Sequence, residues 1–244
     1  MLLTTELIAN SLSYTNPLKE RELDLRGHKI PAVENLGSAR DHESIDFTDN
    51  DIDTLGNFPL SPRLHTLLCS RNRIRSIQSN LAKSLPNVTT LVLAQNNISE
   101  LAELESLRDF ARLTHVSLVD NPVTGRENYR YWILHLAPQI RFLDFQKVKD
   151  VERKRATELF GTAKEPNEQA RSILASRSKN AGSFAPRLNG SAKQSQLKLT
   201  DQEKKSIETL IRSAKTLAEV QQLEKCLNEG RLPPGVSLDA MDHT

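Results

Sequence analysis

Five times between residues 23 and 123 the chain spells one short pattern: an apolar residue, a spacer, a second apolar residue, two spacers, a polar ring or amide, a spacer, and Ile or Val. The copies are Leu23, Leu25, His28, Ile30; Ile45, Phe47, Asn50, Ile52; Leu67, Cys69, Asn72, Ile74; Leu91, Leu93, Asn96, Ile98; and Val116, Leu118, Asn121, Val123. Four in-register asparagines are not a product of chance composition. The intervals between the polar positions are 22, 22, 24 and 25 residues.

A period of roughly 20–29 residues with this wording is the mark of the leucine-rich repeat, one strand and one return segment per turn of a solenoid. The fold class that follows is α/β: a horseshoe with a parallel sheet on its concave face. In each strand the two apolar side chains point inward, so the residues beside and between them face the concavity. The Asn stands where the chain leaves the strand, and an amide that donates and accepts can satisfy backbone groups stranded there. His28 departs from the ladder at its first rung. A sixth partial copy, Ile140, Leu143 and Phe145, follows a helix-like stretch at 129–136, lacks the Asn and reads as a closing cap. Leu3, Leu7, Ile8 and Leu12 stand at helical spacing before Asn16-Pro17 and predict a helical cap over 4–12.

The chain has 244 residues, 37% hydrophobic and 26% charged, which suits one repeat domain with appendages. No apolar run approaches the roughly 18 residues of a membrane span, and no signal-peptide pattern follows Met1, so a soluble intracellular protein is expected. Cys69 falls on an inward repeat position and Cys226 within a distant apolar pattern, so packing rather than a disulfide is expected. The net charge of +2 conceals a segregation. Residues 1–146 hold 15 Lys/Arg against 18 Asp/Glu, whereas residues 147–180 hold 9 against 5. An acidic body and a basic extension imply different partners.

Composition divides the chain into a capped repeat domain over 1–147, a basic helical extension over 148–177 and a Ser, Asn, Gly, Ala and Lys-rich linker over 178–199. Apolar residues in the extension are Val148, Val151 and Leu159, then Ala170, Ile173 and Leu174. Thr200 with Glu203, and Thr216 with Glu219, form capping boxes ahead of two amphipathic stretches, giving a helical hairpin over 200–235 and a disordered tail over 236–244.

The concave face of the horseshoe is its largest preformed surface. Alternation assigns to it Glu22, Asp24 and Arg26, then Asp46 and Thr48, Leu68 and Ser70, Val92 and Ala94, His115 and Val119, and finally Phe142. Acidic residues at one end would repel phosphates, so the hollow suits a protein rather than nucleic acid. Leu68, Val92 and Val119 suggest an apolar stripe along which an amphipathic helix with basic flanks could lie. Lys147, Lys149 and Arg153 cluster past the cap and are the candidate phosphate contacts, while Arg71, Arg73 and Arg75 read as solvated charge. No Gly-rich phosphate loop, metal-spaced Cys or His pair, or nucleophile motif is present, so neither an enzyme nor a cofactor is expected.

The runs RELDLRGHKIPAVENLG, IDFTDNDI and NPVTGRENYRYWILHLAPQIRFLDFQKVK, with KTLAEVQQL near the C-terminus, resemble the A-prime leucine-rich-repeat family of the U-two spliceosomal small nuclear ribonucleoprotein. The block over 121–149 is the most specific, since generic leucine-rich repeats lack it. The resemblance implies a nuclear, non-enzymatic protein of pre-mRNA splicing. Its concave face would grip a helix of the RRM-containing B-double-prime protein, and the pair would bind a 3′ stem-loop of the U-two snRNA beside other spliceosomal proteins. It also implies that Lys147, Lys149 and Arg153 lie near RNA phosphates. Repeat period and cap alone would equally fit an adaptor of the phosphatase-regulator type or a cytoskeletal repeat protein; the wording over 121–149 speaks against both.

Overall fold

A computed structural model describes residues 1–162 and 165–180. The greater part of the expected linker, the hairpin over 200–235, the tail and Cys226 lie outside the described residues. Helix α1, Thr5–Asn10, is capped by Thr4, whose Oγ1 accepts the Leu7 N–H. It buries Ile8 and the preceding Leu3 against the first rung but leaves Leu12 exposed, so the cap is shorter than its spacing predicts. The chain then forms β1, Ser13–Thr15, which the sequence reading did not anticipate.

Strand β1 runs antiparallel to β2, Arg21–Asp24. Strands β3 (Ser44–Asp46), β5 (Thr66–Leu68), β7 (Thr90–Val92), β8 (His115–Ser117) and β9 (Phe142–Leu143) follow in parallel, and β10 (Gln146–Lys147) closes the sheet antiparallel. A small parallel pair, β4 (Thr54–Leu55) with β6 (Ser76–Ile77), lies in the return segments. Those segments are otherwise built from 3-10 turns (Leu36–Ala39, Leu101–Asp109, Pro122–Gly125) and the short α2, Leu81–Ser84. Both strand apolar positions are buried in all five repeats, Phe47, Leu67, Cys69, Leu93 and Leu118 fully so. Burial pushes the Cys69 thiol up, which keeps it protonated and inert.

The asparagines behave as the sequence predicts and reveal why His28 is tolerated. Asn96 Nδ2 donates to Cys69 O at 2.8 Å and Leu93 O at 3.0 Å, while its Oδ1 accepts the Ile74 N–H at 2.9 Å. Asn50, Asn72 and Asn121 repeat this arrangement. Each amide thus bridges its own strand end to groups of the preceding rung. The first rung has no predecessor, so His28 has no such groups to satisfy. Immediately before each polar position the backbone is left-handed, at Gly27, Asp49, Arg71, Gln95 and Asp120. Only Gly27 suits that conformation without side-chain cost.

The C-terminal end departs from the pattern in an informative way. By register Leu143 continues the row of Val116, which places Phe145 where the second inward leucine should stand. Instead Asp144 and Phe145 adopt left-handed φ values of 52° and 61° and reverse the chain. Phe145 is expelled to 78% exposure, against its expected inward position. The closing is completed by side chains. In earlier rungs the second apolar residue donates its N–H to the next strand's carbonyl, as Leu93 does to Ser117 O at 2.8 Å. Leu118 donates to Asp144 Oδ1 at 2.7 Å instead, and Tyr129 Oη donates to Asp144 Oδ2 at 3.0 Å.

Helix α3, Tyr129–Leu136, is tied to this hairpin by Tyr129 and Arg130; α4, Asp150–Phe160, packs on α3, and α5, Glu168–Asn180, packs on α4 and the 3-10 segment Leu101–Asp109. The face α4 buries is Ala156 and Phe160; Val151, expected to be apolar packing, is 75% exposed. Phe160 meets Trp132 edge-on at 5.1 Å, and His135 Nδ1 donates to Gly161 O at 3.1 Å. Burial pushes His135 down in pKa, consistent with a neutral ring in that role. The 148–177 extension therefore shares the solenoid's hydrophobic core, and α5 runs to Asn180, past the expected boundary at 177.

Replacing Asn96 by Ala strands two carbonyls and an N–H in the core, each group worth about 1–3 kcal/mol unless water reaches it. N96A should lower unfolding free energy by about 3 kcal/mol in urea titration, whereas H28A should change it by less than about 0.5 kcal/mol.

Candidate partner and nucleic-acid interface

The rungs align the concave residues into rows two residues apart along the strands, about 7 Å. The first row reads Tyr14, Glu22, Ser44, Thr66, Thr90, His115, Phe142, Lys147, each the lateral partner of the next. The second reads Asp24, Asp46, Leu68, Val92, Ser117. Backbone bonds from Gly27, Asp49, Arg71 and Gln95 to Thr48, Ser70, Ala94 and Val119 mark the third. Val119 therefore does not continue Leu68 and Val92. Ser117, which is buried, holds that place, and Val119 sits beside Ala94. The apolar surface is a compact patch of Leu68, Val92, Ala94 and Val119 spread over two rows, all half-buried, rather than a single stripe.

The acidic end is more organised than alternation alone implies. Glu22 is only 7% exposed, and its carboxylate accepts Tyr14 Oη at 2.7 Å, Asn16 Nδ2 at 3.0 Å and Ser44 Oγ at 2.9 Å. Burial pushes the Glu22 carboxyl up, but these three hydrogen bonds together outweigh it and hold it below the ordinary carboxylate range. The bond to Glu22 raises the Tyr14 phenol to about 12. Glu20 adds a second carboxylate, accepting Asn16 Nδ2 at 3.2 Å and Thr66 Oγ1 at 3.1 Å. Arg26 donates to Asp24 at 2.9 Å and 2.5 Å and lies 3.6 Å from Asp46, which is buried. That guanidinium holds the Asp24 carboxyl down and offsets part of the charge. Asp46 also accepts the Thr48 N–H at 2.8 Å.

At the opposite end His115 and Phe142, both exposed, stack with ring centroids 4.9 Å apart and planes 7° from parallel. Lys147 follows Phe142 in the same row and is exposed. Lys149 is exposed at the start of α4. Arg153 is turned inward: its guanidinium donates to Pro138 O, and to Ile140 O at 2.6 Å, tying α4 to the loop after α3. Of the three expected phosphate contacts, two thus present an uncommitted cation and the third serves the cap. Arg71, Arg73 and Arg75 pair with Asp49, Asp51 and Asp53 at 2.5, 2.9 and 3.2 Å. That is a neutralised ladder along the rim.

Sequence reasoning missed Tyr14, Asn16 and Glu20. The available signal was the Asn16-Pro17 turn between a β-favouring SYT triplet and the first repeat strand, which reads as a hairpin once the helix is ended at Asn10. Among the described residues no group of His, Cys, Asp or Glu is placed to hold a metal ion, and no helix is long and apolar enough to cross a membrane.

The leucine-rich repeat family model matches residues 1–174. A Neurospora crassa protein named U2 small nuclear ribonucleoprotein A' is 62% identical over 242 residues, covering 97% of this chain and 96% of that protein. The chain belongs to the U2 small nuclear ribonucleoprotein A' family. The Homo sapiens member is 42% identical over 95% of this chain and 89% of its own length, and the Schizosaccharomyces pombe member 44% identical over 96% and 100%. The Drosophila melanogaster SNF/U2A' complex contains a chain with the same fold, TM-score 0.66 and 44% identity, covering 72% of this chain and 99% of that one. Members of this family are non-enzymatic leucine-rich-repeat proteins of the spliceosome, which agrees with the lack of catalytic motifs in the sequence.

The Glu22 network predicts a pH signature. A carboxyl held below its unfolded value, about 4.3, contributes stability above that pH, and the contribution is lost as pH falls through the lower folded-state value. E22Q should therefore be less stable than the parent at pH 7, by about 1–2 kcal/mol, and the gap measured by urea titration should narrow at about pH 3.

Proposed function

We propose that this chain is a nuclear subunit of the U2 small nuclear ribonucleoprotein in pre-mRNA splicing. In this reading it grips a helix of the RRM-containing B-double-prime protein in its concave face and, with that partner, binds a 3′ stem-loop of the U2 snRNA. The observation that carries the reading is the polarity of the concave rows. They run from Glu22, Asp24 and Asp46 through the Leu68, Val92, Ala94 and Val119 patch to the His115–Phe142 stack and Lys147. An amphipathic helix with a basic end and an apolar face matches that order. A nucleic acid would meet carboxylates on the first two repeat strands.

The partner suits the family as well, since the solved relative is itself a two-protein complex, SNF/U2A'. In this mechanism the solenoid is preformed, so binding orders little of it, and the apolar patch supplies most of the affinity while the acidic end sets polarity. Lys147 and Lys149 at the far edge add backbone contacts, which position an RNA without reading it.

Two measurements test this. L68R and V92E each place a charge in the half-buried patch without disturbing an inward position; both should abolish co-purification with B-double-prime while circular dichroism and the urea midpoint stay near the parent's. Retained co-purification in both variants would refute the concave assignment. In gel-shift titration the chain alone should bind the stem-loop weakly and with little sequence preference. Tight, selective binding without the partner would overturn the division of labour.

A further inference from the structure

The reversal after β9 places an aromatic residue where a turn does not want one. Two-residue hairpin turns with both central residues left-handed strongly favour Asn-Gly, Asp-Gly or Gly-Gly. Asp144 fits the first position. Phe145, at φ 61°, does not, because a bulky side chain in that region is an outlier. It gains little back through packing, since at 78% it is the most exposed large apolar side chain among the described residues. Such strain persists only where the surroundings over-determine it, and here they do. Asp144 is held by the Leu118 N–H and the Tyr129 hydroxyl, and Leu143 O accepts Arg130 Nη1 at 3.1 Å, with Arg130 in turn paired to Glu152 at 2.5 Å. The hairpin is a braced pedestal with a ring at its tip.

The charges on the segments flanking that ring select its ligand. Across residues 141–153 the cations are Arg141, Lys147, Lys149 and Arg153, and the carboxylates are Asp144, Asp150 and Glu152. Asp144 and Glu152 are engaged by Leu118, Tyr129, Arg130 and the Lys149 N–H, and Arg153 by backbone carbonyls, with Asp150 4.0 Å away. Arg141, Lys147 and Lys149 are exposed and form no ion pair among the described residues; Asp150 is the exposed counter-charge. An exposed aromatic beside uncommitted cations is how proteins hold unpaired nucleotides, the ring stacking on a base and the cations on the flanking phosphates.

We propose that Phe145 is a stacking site for an unpaired nucleobase of the RNA. This rests on the reading that the Lys147 and Lys149 edge lies against RNA, and it goes beyond that reading by adding a base contact to backbone positioning. The stack is tolerant of base identity, because every base offers a π-face.

The test uses the full chain co-expressed with B-double-prime and the U2 snRNA 3′ stem-loop transcribed in vitro. F145N keeps a turn-compatible residue. It should retain partner co-purification, melt at or above the parent temperature through relief of strain, and weaken RNA binding roughly tenfold with no change in salt slope. F145W should bind within about twofold of the parent. Its indole fluorescence should be quenched by RNA, against a background of the single buried Trp132. The charge reversals K147E and K149E should instead lower both affinity and salt slope. If those reversals weaken RNA binding while F145N binds as the parent does and the F145W indole is unquenched, the stacking proposal is overturned and the phosphate edge stands. If the reversals too are silent while the partner still co-purifies, the RNA-edge reading falls with it. Loss of an associated protein in F145N at unchanged RNA affinity would make the ring a protein anchor and also overturn the proposal.

Discussion

A solenoid turn of this kind must bend its backbone into the interior at every rung, and each bend strands two carbonyls and an amide in a space that water does not reach. One buried asparagine per turn resolves this by donating twice and accepting once. Because those bonds connect one rung to the one before it, the amide ladder sets the register of the sheet as well as its stability. Everything on the surface inherits that register. Rows of lateral partners form because the rungs cannot slip relative to one another, and an acidic row end becomes an acidic end of the molecule's concave face.

The ladder also dictates how it must stop. The first rung has no predecessor, so its amide is dispensable, and a two-strand hairpin with its own Asn16 turn covers the open edge instead. At the other end β9 turns back at Asp144 before it can offer the Leu118 N–H a carbonyl, and the Asp144 carboxylate accepts it instead. Helices α3, α4 and α5 then seal the last turn through Trp132, Phe160 and Ala170. Gly161, left-handed at the end of α4, allows the close return of the chain, since a Cβ there would meet Glu165 O at 2.5 Å.

The two endings give the concave face its polarity. The middle of the sheet supplies the apolar patch, and the two terminal devices supply the charged and aromatic groups on either side of it. The Tyr14, Asn16, Glu20 and Glu22 network orders the acidic end, and the β9–β10 hairpin adds Phe142 and Lys147 to the concave row and leaves Phe145 exposed at its turn. Members of one family can therefore share a repeat with unrelated adaptors and still differ wherever the repeat is interrupted.

The repeats were legible in the sequence because their requirement is local and periodic. An inward apolar pair and a turn amide can be read from spacing alone, and so could the alternation that exposes Asp24, Leu68, Val92 and His115. The apolar stripe was a misreading of the copies, and two further matters needed the tertiary structure. Val119 left the expected stripe because the sheet pairs like positions of the copies, Val92 with Ser117, which puts Val119, one past the second apolar residue, beside Ala94. Arg153 left the cationic edge because the carbonyls it binds, Pro138 and Ile140, are brought near only when α4 folds back on the loop after α3. Phe145 matched an inward position yet faces solvent, since two left-handed residues end the strand before it arrives. Periodicity determines the interior of a solenoid; only three-dimensional closure decides its ends, because there the partner groups come from elsewhere in the chain.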